Sequence, residues 1–381
     1  MKNLRQGIYL IMLFLPSAFH CSFDPTPAES IVLSSWTTIE RDGVTFLKVT
    51  ASNGVQAAVP DRNGQYGTSL AKAEQVLKTH HLFDHDKLYA ALQQAEVPDS
   101  QLRAADVLSW DLHARTLGVP FHQLLGTRRQ SVIRYGDARW RVGDTPQTYA
   151  EKVKNFGLPA VKLHIPGVPE PPDWGRGQQF TVDEVVDYLR VVRETNPDLI
   201  LAYDLHPQVA AAGNIDDART ILAACDAYNY SWIEAPLPLE KSYWPDYATL
   251  RQEFKVTIQN EEEPLTYEQF LEWVESGAID QICPAVYVHT DYGMTPVVHM
   301  LQWIKDHPEK GMTINLHYPS IEHVHLAFTM TDEQLPYFEA PWSGDYIDHL
   351  TKVNLYEKCI GPNGTAIAPS WPGIYDLEWL N

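Results

Sequence analysis

Six residues of this chain are of types that hold metal ions or move protons, and each falls at or near the end of a short apolar run: Lys162, Asp204, Glu234, Glu262, His317 and Glu339. Asp204, Glu234 and Glu262 supply three hard oxygen ligands, a set that suits Mg2+, an ion that keeps open positions for substrate oxygens. Such a site clamps a carboxylate. Lys162 can neutralise further charge on the same group, and His164, two residues along, lies on the same face of an extended strand. Once a carboxylate is bound this way its α-proton becomes removable, because the enediolate that forms meets cations placed in advance where its charge develops. His317 is a reasonable general base near neutral pH, and His206 could act as an acid.

The elements that must position these groups follow from punctuation. The apolar runs span residues 160–164, 199–206, 230–234, 255–262, 279–285, 312–317 and 336–339. Their spacing of roughly 20–40 residues is the rhythm of strand, loop and helix in a parallel barrel, whose chemistry collects at the C-terminal strand ends. Between the runs, Thr181 with Glu184 and Thr266 with Gln269 fit the capping box at helix starts, and Val185, Leu189 and Val192 give one helix its sheet-facing stripe. The barrel is expected to begin near Val132. Before it, residues 45–50 and 55–59 flank Ser52-Asn53-Gly54 as a hairpin, and Leu102, Ala105, Leu108 and Leu112 mark a helix that Gly118 and Pro120 terminate. Residues 167–177, rich in Pro and Gly, read as a substrate-covering or structural loop.

Composition sets bounds. At 381 residues and 44% hydrophobic, the chain is long enough for a barrel of roughly 220 residues plus a smaller companion domain. The best apolar run, residues 8–15, falls well short of the roughly 18 residues a membrane span needs. A formal net charge of -20 argues against nucleic acid, which needs a basic face, but not against a small anionic substrate met by a bound cation. Cys21, Cys225, Cys283 and Cys359 show neither CxxC pairing nor zinc-ligand spacing. At the N-terminus, Lys2 and Arg5 precede residues 8–15 and then Ser17 and Ala18, the outline of an export signal with a poor cleavage site, and export is favoured over a cytoplasmic location. His80, His81 and His85 read as solvated surface, while His323 and His325 pack or cap on a helix after His317. Asn363-Gly364-Thr365 is a weak glycosylation sequon, and Asn229-Tyr230-Ser231 is expected to be buried. Gly175-Arg176-Gly177 does not open a helix after a strand, so no dinucleotide site is expected.

The segment from Ala104 to Leu112, AADVLSWDL, followed by Leu117-Gly118-Val119-Pro120 and Leu124-Leu125-Gly126, resembles the helix that closes the capping domain in mandelate racemase-like members of the enolase superfamily. The resemblance covers residues 32–380. It implies an α/β chain: an N-terminal α+β capping domain at 24–130, a modified (β/α)7β TIM-type barrel at 131–354, and a C-terminal segment at 355–381 returning to the cap, after an extension at 1–23. Val161-Lys162-Leu163-His164 resembles the family's Lys-x-Lys strand with His in second place. Asp204-Leu205-His206 resembles the Asp-x-His form of acid-sugar dehydratases, where the histidine is the general acid. Trp232-Ile233-Glu234-Ala235-Pro236 resembles the second metal-ligand strand, and Glu262, with Glu261 as alternative, fits the third ligand. His317 resembles the seventh-strand base, and Glu339 the eighth-strand glutamate that hydrogen-bonds the enediolate.

One departure stands out. Where the family places an aspartate behind the seventh-strand histidine, this chain has Pro284-Ala285. Asp280 or Asp291 could substitute, or His164 could take the proton from the other face. The resemblance implies a magnesium-dependent hydro-lyase that dehydrates a sugar acid to a 2-keto-3-deoxy acid. Racemisation or epimerisation of an α-substituted carboxylate is the rival, and a barrel that binds acids without turnover is the non-enzymatic alternative. Symmetric homo-oligomers are common in such families, although no feature here specifies one.

Overall fold

The hairpin around Ser52-Asn53-Gly54 belongs to a three-stranded antiparallel sheet: β1 (Leu33–Arg41), β2 (Val44–Ala51) and β3 (Gln56–Pro60) in sequence order. Three helices follow it, α1 (Glu74–Thr79), α2 (His85–Gln94) and α3 (Asp99–Thr116), and then the short α4 (Phe121–Leu124). This computed structural model describes residues 30–41, 43–61, 68–141, 143–164, 180–205, 214–260, 266–286, 293–317, 319–340 and 356–378. His206, Glu261, Glu262, Asp291, the 167–177 loop and the N-terminal export pattern lie outside the described residues.

Eight parallel strands then alternate with seven helices. They are β4 (Ser131–Arg139), α5 (Pro146–Lys154), β5 (Ala160–His164), α6 (Val182–Thr195), β6 (Ile200–Asp204), α7 (Ile215–Ala227) and β7 (Trp232–Glu234). The series continues with α8 (Trp244–Glu253), β8 (Thr257–Gln259), α9 (Tyr267–Ser276), β9 (Gln281–Ile282), α10 (Met294–Asp306), β10 (Thr313–Ile314), α11 (Ile321–Ala327) and β11 (Tyr337–Glu339). The strands pair in sequence order from β4 to β10, and β11 pairs back onto β4. Ile314 donates its N–H to Gln334 C=O at 2.8 Å, linking β10 to the residues just before β11. A last strand, β12 (Thr365–Ile367), runs antiparallel along β4. This is the expected (β/α)7β barrel with an N-terminal α+β layer.

Each barrel strand buries both faces, as parallel strands covered by helices must. Val161, Leu163, Leu201, Tyr203, Ile233 and Ile258 point outward into the main core, while Tyr135, Ala160, Ala202 and Trp232 form a separate cluster inside the barrel. The helices start where their side chains can hold the first-turn amides. Both expected capping boxes form, Thr181 with Glu184 and Thr266 with Gln269, and a third appears at Thr145 with Thr148. Among the described residues no helix is long and apolar enough to cross a membrane.

Two residues lie otherwise than expected. His85 is buried rather than solvated: its ring stacks on Trp110 with centroids 3.5 Å apart, and it bonds Ser109 at 3.1 Å and His113 at 3.0 Å, so burial pulls its basicity down to about 3. It packs because α2 lies directly on α3, a pairing no polar-residue count reveals. Asn229 is exposed, in a left-handed turn at φ 56, because the chain turns there before Tyr230 enters the core.

One contact ties α3 to the barrel. Gly293 at the start of α10 offers no side-chain cap, and Asp106 of α3 supplies one instead, accepting from Thr295 N–H at 2.9 Å and Thr295 Oγ1 at 2.6 Å. A Cβ at Gly293 would sit 2.5 Å from Asp106 Oδ2, so the close approach needs glycine. Trp110 Nε1 donates to the same Thr295 at 2.9 Å. Removing the carboxylate in Asp106→Ala leaves a buried amide unsatisfied, and urea denaturation should show a loss of roughly 1–3 kcal/mol. Burial raises the Asp106 acid to about 6, above its unfolded value of about 3.9. The folded state therefore binds the extra proton, and this stabilising contribution, present below about pH 4, is lost as pH rises through about 6. Asp106→Asn should flatten that part of the stability profile, and an unchanged slope would contradict the assignment.

Candidate active site

The barrel's hydrogen-bond register builds the site. Arg139, His164, Asp204, Glu234 and Gln259 are direct lateral partners on five successive strands, and the row continues through Gln281 to Thr313. One register step below lie Asp137, Lys162, Ala202, Trp232 and Thr257. Side chains two apart on a strand share a face, so Lys162 and His164 both point into the barrel. The lateral partner of Lys162 on β6 is Ala202, whose small side chain leaves room for the lysine to extend.

Lys162 rises between the two carboxylates above it. Its Nζ lies 2.7 Å from Glu234 Oε2 and 3.1 Å from Asp204 Oδ2, and all three groups are buried. Burial alone would strip the lysine of its proton, but the Glu234 and Asp204 charges outweigh it and hold the ammonium well above its ordinary range. One lysine against two carboxylates leaves this trio with an excess negative charge.

His164 stands next in the row. Its Nε2 lies 2.7 Å from Asp137 Oδ1 and 3.4 Å from Asp204 Oδ2. The Asp137 contact is at hydrogen-bond distance with the ring N–H off the line to the oxygen. Arg139 donates to the other oxygen of Asp137 through Nε at 3.2 Å and Nη2 at 3.0 Å. Burial would raise the Asp137 acid, yet the Arg139 charge, the His164 ring nitrogen beside it and the Lys162 charge keep it well below the usual carboxylate range.

Below Asp137 on the same strand, Tyr135 donates to Glu339 Oε2 at 3.3 Å and accepts from Asn315 Nδ2 at 3.2 Å, while Asn315 also donates to Gln259 Oε1 at 3.3 Å. Burial, reinforced by the Glu339 charge, holds the Tyr135 phenol well above its ordinary range, so it remains a donor. His317 is nearly buried past the end of β10, its N–H donating to Pro284 C=O at 3.1 Å. His323 packs behind, accepting the Val286 N–H at 2.9 Å, and His325 accepts the His122 N–H at 3.2 Å.

The structure thus brings Lys162, His164, Asp204 and Glu234 into one cluster and places Glu339 at the end of β11 and His317 in the segment that follows β10. Asp280 does not substitute for the missing seventh-strand partner. It precedes β9, at the opposite end from the site, and its carboxylate takes the Ile258 N–H at 3.0 Å and the Arg251 guanidinium. Sequence reading missed Asp137, Arg139, Tyr135, Gln259 and Asn315. The signal for the first two was present, since Val132 to Arg139 is another apolar run ending on charge.

The donor set fits magnesium as far as the described residues reach: two buried carboxylates in register, both hard oxygen donors, with one negative charge in excess. Among the described residues no group of three or more His, Cys, Asp or Glu side chains is arranged to hold a metal, and Glu262 lies outside them.

Fold and site together define a mandelate racemase-like barrel of the enolase superfamily. A family model described as Enolase C-terminal domain-like matches residues 146–374, and the chain belongs to that family. It is 24% identical over 186 residues to a D-galactonate dehydratase family member of Cellvibrio japonicus, a match covering 43% of this chain and 43% of that protein. The chain therefore aligns with less than half the length of that curated relative. In structure it is similar to an L-talarate dehydratase from Polaromonas sp. JS666 complexed with Mg and L-glucarate, with TM-score 0.66, 20% identity, and 90% and 92% of the two chains covered. A mandelate racemase/muconate lactonizing enzyme from the same organism gives TM-score 0.67 at 19% identity, covering 91% and 94%.

Lys162→Met leaves two buried carboxylates without their cation, and in EDTA it should lower the unfolding free energy by roughly 3–5 kcal/mol. Adding Glu234→Gln to that variant should recover part of the loss. Strictly additive effects in urea denaturation would contradict the coupling.

Proposed function

We propose that this protein is a hydro-lyase that removes the α-proton of a hydroxy-carboxylate sugar acid and expels its β-hydroxyl, giving a 2-keto-3-deoxy acid. The observation that carries the reading is the registered carboxylate pair Asp204 and Glu234, bridged by Lys162 at 3.1 and 2.7 Å at the C-terminal strand ends. Asp204 and Glu234, with Glu262 as third ligand, would hold Mg2+, which when bound supplies positive charge to the substrate carboxylate and to the enediolate. Lys162 adds a fixed cation for the same group. Glu339, oriented by the Tyr135 hydroxyl, hydrogen-bonds an enediolate oxygen, and His206 protonates the departing hydroxyl. His164 and His317, on the second and seventh barrel strands, are the two histidines available to take the α-proton. The segment 24–130 acts as the cap that selects the acid. The dehydratases among the similar proteins support this reaction class.

Two histidines on separate strands also support a second reading, racemisation, which needs a base on each face. Solvent deuterium in unreacted substrate of inverted configuration would favour that reading, and loss of water the first.

The test is a screen of mono- and diacid sugars with purified protein and Mg2+, assayed for 2-keto acid. Product from at least one acid is expected, abolished by EDTA and lowered on the order of 10²–10⁴-fold in Glu234→Gln. Turnover indifferent to both would overturn the proposal.

A further inference from the structure

The family's orienting carboxylate is absent at Pro284-Ala285, and Asp280 is committed to Arg251 and the Ile258 amide. A carboxylate does stand against a histidine, but on the second strand. Asp137 Oδ1 lies 2.7 Å from His164 Nε2, and the Asp137 side chain is 1% exposed whereas that of His164 is 18% exposed. An accessible ring is thus backed by an inaccessible acid. Arg139 holds the other oxygen of Asp137 with two donors, which orients Oδ1 toward the ring. Asp204 Oδ2 approaches the same Nε2 at 3.4 Å. With the Asp137 carboxylate against Nε2, the proton of the ring is held on that nitrogen and Nδ1 is left with the lone pair. Misaligned hydrogen bonds of this kind commonly straighten once substrate is bound.

We propose that Asp137 is a positioning residue that fixes the His164 imidazole as its Nε2–H form, and that His164 held this way takes the α-proton. The inference rests on the dehydratase reading above. In the step, the α C–H bond breaks, its proton passes to Nδ1 and its electron pair enters the enediolate. Collapse of the enediolate breaks the β C–O bond, and the hydroxyl leaves as water with a proton from an acid on the protein. The enol left behind tautomerises, one proton moving from its hydroxyl to the β-carbon. The dyad that orients a base is thereby built between β4 and β5 instead of between the sixth and seventh strands.

Two kinds of measurement on the full chain test this, activity on a substrate acid and the NMR spectrum of the histidines. On an acid that the wild type turns over, Asp137→Asn should lower kcat about 100-fold with KM within about threefold, and Asp137→Glu should restore a substantial part. His317→Asn should still exchange the substrate α-proton with deuterated solvent, whereas His164→Asn should not. Asp137→Asn within threefold of wild type, or exchange lost in His317→Asn and kept in His164→Asn, would overturn the assignment. The second measurement needs neither turnover nor a folded Asp137 variant. In 15N-histidine NMR of metal-free wild type, with His164 identified by its absence from the His164→Asn spectrum, Nε2 should carry a proton, and a bare Nε2 sinks the pairing. If no acid is turned over, the dehydratase reading fails and His164 loses its catalytic role, while the spectrum still judges whether Asp137 fixes the ring.

Discussion

A lysine buried between two carboxylates is the constraint on which the rest of this structure depends. Taking three charged groups out of water costs several kcal/mol per ion unless each lies within contact distance of an opposite charge. Lys162, Asp204 and Glu234 meet that condition at 2.7 and 3.1 Å only because their strands are locked in one register. A slip of one residue on β6 would turn Asp204 outward into the apolar layer and bring Tyr203 in. The outer faces of the strands, with Val161, Leu163, Leu201, Ile233 and Ile258 pressed against the helices, forbid that slip. Apolar packing outside the barrel therefore sets the charge geometry inside it.

The same register explains why chemistry gathers at one end. The row beginning at Arg139, the last residue of β4, reaches Thr313, the first residue of β10, so the strands climb past one another around the ring. Below this row the interior is closed by Tyr135, Ala160, Ala202 and Trp232. Cap and barrel are joined by shared polar groups rather than by apolar contact alone: Asp106 caps a barrel helix from α3, and Asp111 accepts the Ile374 N–H at 2.6 Å, fastening the C-terminal segment to the same helix. Through these two buried acids α3 holds both a barrel helix and the C-terminal segment.

Much of this was legible in the sequence because the underlying rules are local. Apolar runs, six of them ending on or near a charged or imidazole side chain, marked seven of the eight barrel strands, 160–164 to the residue, and Thr181 and Thr266 announced their helices by capping chemistry. The runs overstate strand length, as at β9 and β10 with two residues each, because apolar residues continue into loops that pack on the core. What sequence alone withheld is lateral: that Asp137 faces His164, that Asn315 links Tyr135 to Gln259, and that His85 lies flat on Trp110. Those pairings come from strand register and helix packing between positions far apart in the chain. Asp280 looked available by proximity in sequence, yet it sits below β9 and serves Arg251.

The proposed chemistry requires that Asp204 and Glu234 form the core of a divalent-cation site that receives an acid. Electron paramagnetic resonance of Mn2+ titrated into the protein measures this directly, since bound manganese loses its free-ion signal. One bound ion per chain is predicted, displaced by Mg2+ and lost in Asp204→Asn, with the spectrum of the bound ion altered when a sugar acid is added. Binding that survives Asp204→Asn, or no binding by the wild type, would contradict the claim.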